Sequence, residues 1–120
     1  MQTFGNYSPY RILNSTVYIA GQVGVDEYKN APQTLDEQFK IIINNIASIL
    51  SEAGSSLENV VAIRVYLTDI GLFDEFNKLY SNVFKDNLPV RECIEVSALP
   101  PVAKNDNKLL IEISAVAKAN

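Results

Sequence analysis

Three side chains in the C-terminal third of this sequence could do chemistry together: Arg91, Cys93 and Glu112. The first two lie in residues 88–99, Leu-Pro-Val-Arg-Glu-Cys-Ile-Glu-Val-Ser-Ala-Leu, a stretch closed by Pro100-Pro101. β-Branched and polar residues alternate there, as in a half-buried strand. Successive side chains of a strand point to opposite faces, so Arg91, Cys93 and Glu95 share one face and Val90, Glu92, Ile94 and Val96 the other. A guanidinium offers a planar fork of donors that fits a carboxylate. Glu112, between Ile111 and Ile113, could orient and activate a water. The sharper reading pairs the two around a small molecule that carries a carboxylate. Spacing alone favours plainer roles: a surface charge for Arg91, a small buried filler for Cys93, a solvated carboxylate for Glu112.

Cys93 is the only cysteine, and the chain has no histidine. With no imidazole beside it the thiol lacks a base, which argues against a nucleophilic role. The same absence removes histidine triads and the commonest zinc sites. No glycine-rich phosphate loop is present, so neither metal nor cofactor is expected. Proton transfer falls to carboxylates, tyrosines, lysines or Cys93. Tyr7, Tyr10 and Tyr18 read first as packing or interface residues. Asn77 reads as an exposed helical asparagine or, alternatively, a polar group in a cleft.

Composition narrows the class. At 120 residues the chain is expected to be one domain, 1–120, long enough to bury a core without staples. With 48% hydrophobic and 20% charged residues it is neither disordered nor fibrous. A net charge of −4 without any lysine or arginine run argues against nucleic acid as a partner. No basic stretch followed by an apolar run opens the chain, so no signal peptide is expected. No apolar run approaches the ~18 residues that span a bilayer. One cysteine excludes an intrachain disulfide and fits a reducing, cytoplasmic setting.

The elements that must position these groups follow from pattern. Residues 1–9 read as an irregular arm. Tyr10 to Leu13 is a short strand and Asn14-Ser15 a turn. Val17 to Val23 is a strand with Val17, Ile19, Gly21 and Val23 on one face. Thr34-Leu35-Asp36-Glu37 is a capping box that starts a helix ending at Gly54. Its apolar stripe is Leu35, Phe39, Ile42, Ile46, Ile49 and Ala53. Val60 to Thr68 is a strand with Val61, Ile63, Val65 and Leu67 inward. Asp69 caps a second helix, about 71–84, with Phe76 and Tyr80 in its stripe. Residues 100–108 form a polar connection. Strand 109–117 puts Leu109, Ile111, Ile113, Ala115 and Ala117 inward.

The order β-β-α-β-α-β-β predicts an α+β fold, a mixed sheet with two helices on one face. The last two strands are expected to pair or lie close, bringing Arg91 toward Glu112. The uncovered sheet face is too apolar for water, with Val60, Ala62, Tyr66, Ile94 or Cys93, and Leu110 or Val116 on it according to register. A homo-oligomer is expected.

The motifs resemble those of the RidA/YjgF/UK114 family of enamine/imine deaminases, also called L-PSP endoribonucleases. Gly5-Asn6-Tyr7-Ser8 resembles the family's Gly-Pro-Tyr-Ser, and Ala20-Gly21-Gln22 its Ser-Gly-Gln turn. Ala53 to Val61, Tyr66-Leu67-Thr68-Asp69, and Phe76-Asn77 with Tyr80 and Phe84 are similar to its middle segments. Pro89 to Pro100, followed by Ile111-Glu112-Ile113, is similar to its most specific signature. The resemblance implies a chorismate-mutase-like domain assembled as a homotrimer, with sites in clefts between subunits. It places the substrate-binding arginine on Arg91 and the water-positioning glutamate on Glu112. Tyr7, Asn77, Cys93 (through its backbone) and Ala20 complete the substrate contacts it implies. It further implies hydrolysis of small 2-imino carboxylates to 2-keto acids and ammonia. Three features depart from the family: Ala20 for the turn serine, Glu92 after the arginine where a small residue is usual, and a longer 100–108 connection. Two alternatives follow, a trimeric binder of small carboxylates or keto acids without turnover and, less favoured by charge and the lack of histidine, a ribonuclease.

Overall fold

The computed structural model describes residues 3–119; Met1 and Gln2, part of the expected N-terminal arm, and Asn120 lie outside the described residues. Strands β1 (Tyr10–Leu13), β2 (Thr16–Val23), β3 (Val60–Leu67), β4 (Val90–Glu95) and β5 (Ile111–Lys118) form one sheet in the order β1-β2-β5-β3-β4. Only β3 and β4 run parallel; the other neighbours are antiparallel. Helices α1 (Leu35–Glu52) and α2 (Phe73–Ser81) pack on one face. Asn14 and Ser15, both at positive φ, make the tight β1–β2 turn.

Local chemistry sets the helix ends. The Glu37 amide donates to Thr34 Oγ1 at 3.2 Å, and that hydroxyl donates to Glu37 Oε1 at 2.9 Å. Gly54, at φ +76°, lets the chain leave α1, and Ser55 N–H donates to Leu50 O at 2.7 Å. The Gly71 amide donates to Asp69 Oδ1 at 2.8 Å, so Asp69 caps the 3-10 turn Ile70–Leu72 and not α2 itself, whose N-cap Leu72 makes no side-chain cap bond. The second helix is shorter than 71–84: a 3-10 turn, Ile70–Leu72, precedes α2, which ends at Ser81. The α1 stripe packs on Val17, Ile63, Val65, Leu67, Ile111 and Ile113.

Two expectations about the sheet are overturned. β4 does not neighbour β5; β3 lies between them. The β3–α2–β4 crossover returns the chain parallel to β3 on its outer side. β5 fills the slot between β2 and β3, where its apolar residues are covered. Strict alternation also fails twice. In β2 the register shifts between Ile19 and Gln22, so Gln22 joins the helix-side row opposite Ile113 and Val23 moves to the other face, opposite Glu112. In β3 a shift between Val60 and Ala62 turns Val60 inward, at 3% exposure, and leaves Val61 outside. A bulge adds one residue and inverts everything beyond it. The uncovered face therefore carries Ala62, Tyr66, Ile94 and Val116, whereas Val60 and Cys93 lie toward the helices.

A smaller apolar cluster, Val23, Val25, Ala31 and Leu109 with Phe4 and Leu99, sits beyond the bulge. Here the 100–108 connection is fastened rather than loose. Asn105 Nδ2 donates to Ala31 O at 2.8 Å and its Oδ1 accepts from Ala31 N–H at 3.0 Å. Fully buried Gln38 joins three segments: Nε2 donates to Pro32 O (3.0 Å) and Lys108 O (2.9 Å), and Oε1 accepts from Leu110 N–H (2.8 Å). Gln38→Ala leaves these part-buried backbone groups unpaired inside the fold, and each costs roughly 1–3 kcal/mol. Urea unfolding is expected to show a loss of about 3 kcal/mol or more; a loss below about 1 kcal/mol would contradict this account.

Candidate active site

The sheet register assigns each candidate residue to a face. On the helix side, Ile19, Ala115, Ile63 and Arg91 form one cross-strand row, and Gln22, Ile113, Val65 and Cys93 the next. On the uncovered side one row is Tyr18, Val116, Ala62 and Val90, the next Ser114, Arg64 and Glu92, and the third Val23, Glu112, Tyr66 and Ile94. Arg91 and Glu112 thus lie on opposite faces of the sheet. Their strands are separated by two strand spacings, roughly 10 Å. The expected approach of these two groups does not occur within one chain.

Arg91 extends a buried apolar row onto the sheet edge, where α2 closes over it. Its Cζ lies 4.7 Å from the Tyr80 ring centroid, 5.3 Å from Phe76 and 5.7 Å from Phe73. The guanidinium face is held against rings, a cation–π arrangement. Among the described residues no hydrogen bond or ion pair engages it, so its in-plane donors remain open to an anion. Asn77 sits half-buried on α2, four residues after Phe73 and three before Tyr80, on the same side of the helix. Cys93 lines a hollow of about 460 Å³ with Ile70, Gly71, Phe73 and Asp74. Burial pushes its thiol pKa up, and the nearby Arg91 charge opposes this more weakly. Burial thus favours the thiol over the thiolate.

The other group of candidates gathers at the β2 bulge. Gly21 is there because Glu112 needs the room. A Cβ on Gly21 would collide with the Glu112 carboxylate, lying 2.8 Å from Cδ and 3.1 Å from Cγ. The carboxylate is half-buried, and desolvation raises its pKa above the usual carboxylate value. Ala20 donates its N–H to Pro9 O at 2.9 Å and accepts from Gln22 Nε2 at 3.1 Å. Tyr7, 48% exposed, shares a hollow of about 350 Å³ with Gly21, Gln22 and Asn45. Its hydroxyl accepts from Phe4 N–H at 3.3 Å.

Within one chain the candidates therefore fall into two groups: Arg91, Asn77 and Cys93 at the α2 edge, and Glu112 and Ala20 at the bulge, with Tyr7 in the adjoining hollow lined by Gly21 and Gln22. Reading the sequence missed Gly21 and Tyr80 as parts of these groups. An apolar strand interrupted by Ala-Gly was the available signal for the first. The Phe73, Phe76, Tyr80 spacing was the signal for the second, once an arginine is known to face it. Among the described residues, no three cysteine, aspartate or glutamate side chains converge to hold a metal ion. No helix among them is long and apolar enough to cross a membrane.

Comparison with known proteins adds the following. The family model described as Endoribonuclease L-PSP matches residues 1–119. The 2-iminobutanoate/2-iminopropanoate deaminase of Rattus norvegicus is 36% identical over 115 residues, covering 94% of this chain and 80% of that protein. The crystal structure of RidA from the Antarctic bacterium Psychrobacter sp. superimposes with a TM-score of 0.89 at 30% identity, covering 98% of this chain and 91% of the other. That of Escherichia coli TdcF with bound serine does so with a TM-score of 0.86 at 26% identity and the same coverage.

Proposed function

Since the chain belongs to the L-PSP endoribonuclease family, also called RidA/YjgF/UK114, we propose that residues 1–120 form one domain of a cytoplasmic homotrimer that hydrolyses small 2-imino carboxylates to 2-keto acids and ammonia. The observation that carries this reading is the split site. A free guanidinium lies at one edge and a half-buried carboxylate on the opposite face. A second copy docked on the uncovered face and reaching round the β4 edge would bring its Glu112, Ala20 and Tyr7 toward the first copy's Arg91, Asn77 and Cys93. Tyr18, Val90 and Ile94, each about half exposed or more, give that docking its apolar area.

In the cleft, Arg91 takes the substrate carboxylate as a fork. Asn77 and the Cys93 backbone hold the substrate's polar atoms, and Tyr7 closes the far side. Glu112 accepts a proton from water as the water oxygen bonds to the imine carbon; the C=N electron pair moves to nitrogen, which takes up a proton from solvent. Glu112 then returns its proton to the amino nitrogen of the tetrahedral adduct. The adduct's hydroxyl oxygen re-forms the C=O bond as the C–N bond breaks and its proton passes to solvent, and ammonia and a 2-keto acid remain. General acid–base assistance of ~10²–10⁴-fold suffices because the imine is already electrophilic. No cofactor takes part. The presence of serine in TdcF and the rat deaminase's name support a small carboxylate ligand.

The test is hydrolysis of 2-iminopropanoate, generated in situ, beside binding of 2-oxobutanoate. Acceleration above the spontaneous rate is expected. A second reading, a binder of keto acids without turnover, is favoured by Ala20, which lacks the hydroxyl of the family's turn serine. Binding with no acceleration would select that reading; neither binding nor acceleration would remove both.

A pH dependence follows from the Glu112 environment. The reaction needs the carboxylate, and burial raises its pKa. The logarithm of kcat/KM is therefore expected to fall as pH drops through a value above the ordinary glutamate range, and the limb to vanish in Glu112→Gln. For stability the sign is opposite. A buried carboxylate with a raised folded-state pKa costs stability at pH above that value, and the cost disappears below the unfolded-state pKa. Glu112→Gln should then melt higher than wild type near pH 7 and equally near pH 3. A Glu112→Gln protein that melts lower at pH 7 would contradict this.

A further inference from the structure

Tyr80 is not used by the mechanism above, yet its surroundings are unusual. The residue is 8% exposed, and its hydroxyl is buried with no hydrogen-bond partner. Burial raises its pKa, with the Arg91 charge opposing. The ring is fixed on both sides: it stacks on Phe84 at 4.6 Å and meets Phe76 at 5.6 Å, and Phe76 in turn packs edge-on against Phe39 of α1 at 6.0 Å. The middle rungs of this aromatic ladder, Phe76 and Tyr80, lie under the Arg91 guanidinium, with Tyr80 its nearest ring.

Arg91 needs such a support. It stands on an edge strand with one neighbouring strand and has no carboxylate to hold it. A free arginine side chain carries roughly 2 kcal/mol of rotamer entropy. An anion arriving at an unsupported arginine must meet that ordering cost at the moment of binding. A ring against the guanidinium face fixes the plane beforehand and leaves the in-plane N–H groups free.

We propose that Tyr80 is a positioning residue whose ring, the rung of the Phe39–Phe76–Tyr80–Phe84 ladder nearest the guanidinium, pre-orients Arg91 for a carboxylate, its hydroxyl taking no part. This rests on the reading of Arg91 as the carboxylate-binding group. Because the hydroxyl has no partner, Tyr80→Phe removes no hydrogen bond and is a clean control. Tyr80→Leu keeps apolar volume and removes the ring.

Two measurements on the full-length protein separate the ideas. The first needs no substrate: the Arg91 Nε–H proton resonance, assigned by its loss in Arg91→Lys. Ring currents should move it upfield in wild type and Tyr80→Phe, and it should return toward the free-arginine position in Tyr80→Leu. The second is the Kd for 2-oxobutanoate and KM for 2-iminopropanoate. Tyr80→Leu should raise both about tenfold with kcat changed less than threefold, the size of one cation–π contact, and Tyr80→Phe should restore wild-type values. Phe73→Leu, at the half-buried rim, should raise KM about two- to threefold and serves if Tyr80→Leu does not fold. An unmoved resonance and unchanged affinity in folded Tyr80→Leu, or in Phe73→Leu if it alone folds, would overturn the proposal. So would a Tyr80→Phe protein as weak as Tyr80→Leu, since the hydroxyl would then be responsible. If wild type neither binds 2-oxobutanoate nor accelerates imine hydrolysis, the functional reading fails while the resonance still reports on the ladder.

Discussion

Arg91→Ala is expected to lower kcat/KM for 2-iminopropanoate by about 10²–10⁴-fold while the protein stays folded and assembled. The magnitude comes from the fork: two hydrogen bonds to a charged acceptor contribute roughly 1.5–3 kcal/mol each, and each 1.4 kcal/mol is about tenfold. The loss should appear mainly in KM, because the carboxylate is present in substrate and transition state alike. The fold should survive because Arg91 lies at the sheet edge and satisfies no buried partner. Arg91→Lys keeps the charge and loses the fork and the flat face against Tyr80, so it should fall between the two. Steady-state kinetics beside a sizing column would decide it. Turnover unchanged in a folded Arg91→Ala protein would remove Arg91 from the site.

Gly21→Ala should be nearly as damaging, at a residue that reaches the chemistry only through another. The added methyl group would occupy space that the Glu112 carboxylate now fills. Glu112 must then turn away, and the water it orients is lost. We expect kcat to fall about 10²-fold, the lower end of general acid–base contributions, with KM changed less than threefold. Glu112→Gln should show a similar fall. The double variant should be no worse than the worse single variant, since both remove the same interaction. Losses that multiply, or a fully active Gly21→Ala protein, would show that Gly21 does not act through Glu112.

Much of the scaffold could be read from pattern because its causes are local. Thr34 and Glu37 cap α1 through groups three residues apart, Gly54 ends it, and Ile111, Ile113, Ala115 and Ala117 face inward by simple alternation. What could not be read depends on partners distant in sequence. Nothing near residue 91 says that β4 pairs with β3 rather than β5; the crossover through α2 decides it. Nothing in Ala20-Gly21 says that two residues there oppose one on β5, yet that bulge moves Val23 to the far side. The candidate site shows the same division. Arg91 and Glu112 stood out by residue type, but their placement on opposite faces depends on the whole sheet. Gly21 and Tyr80 went unnoticed because each works on a side chain from another element.

The middle row of the uncovered face, Ser114, Arg64 and Glu92, bears on recognition between like subunits. It sets one cation and one anion in register between a row of Tyr18, Val116, Ala62 and Val90 and a row of Val23, Glu112, Tyr66 and Ile94. In an assembly through that face, a subunit of the same fold but a different sequence would leave those charges facing apolar or like-charged groups. Such a mismatch costs several kcal/mol, so in a cell making several proteins of this shape, assembly through this face would favour copies of one chain.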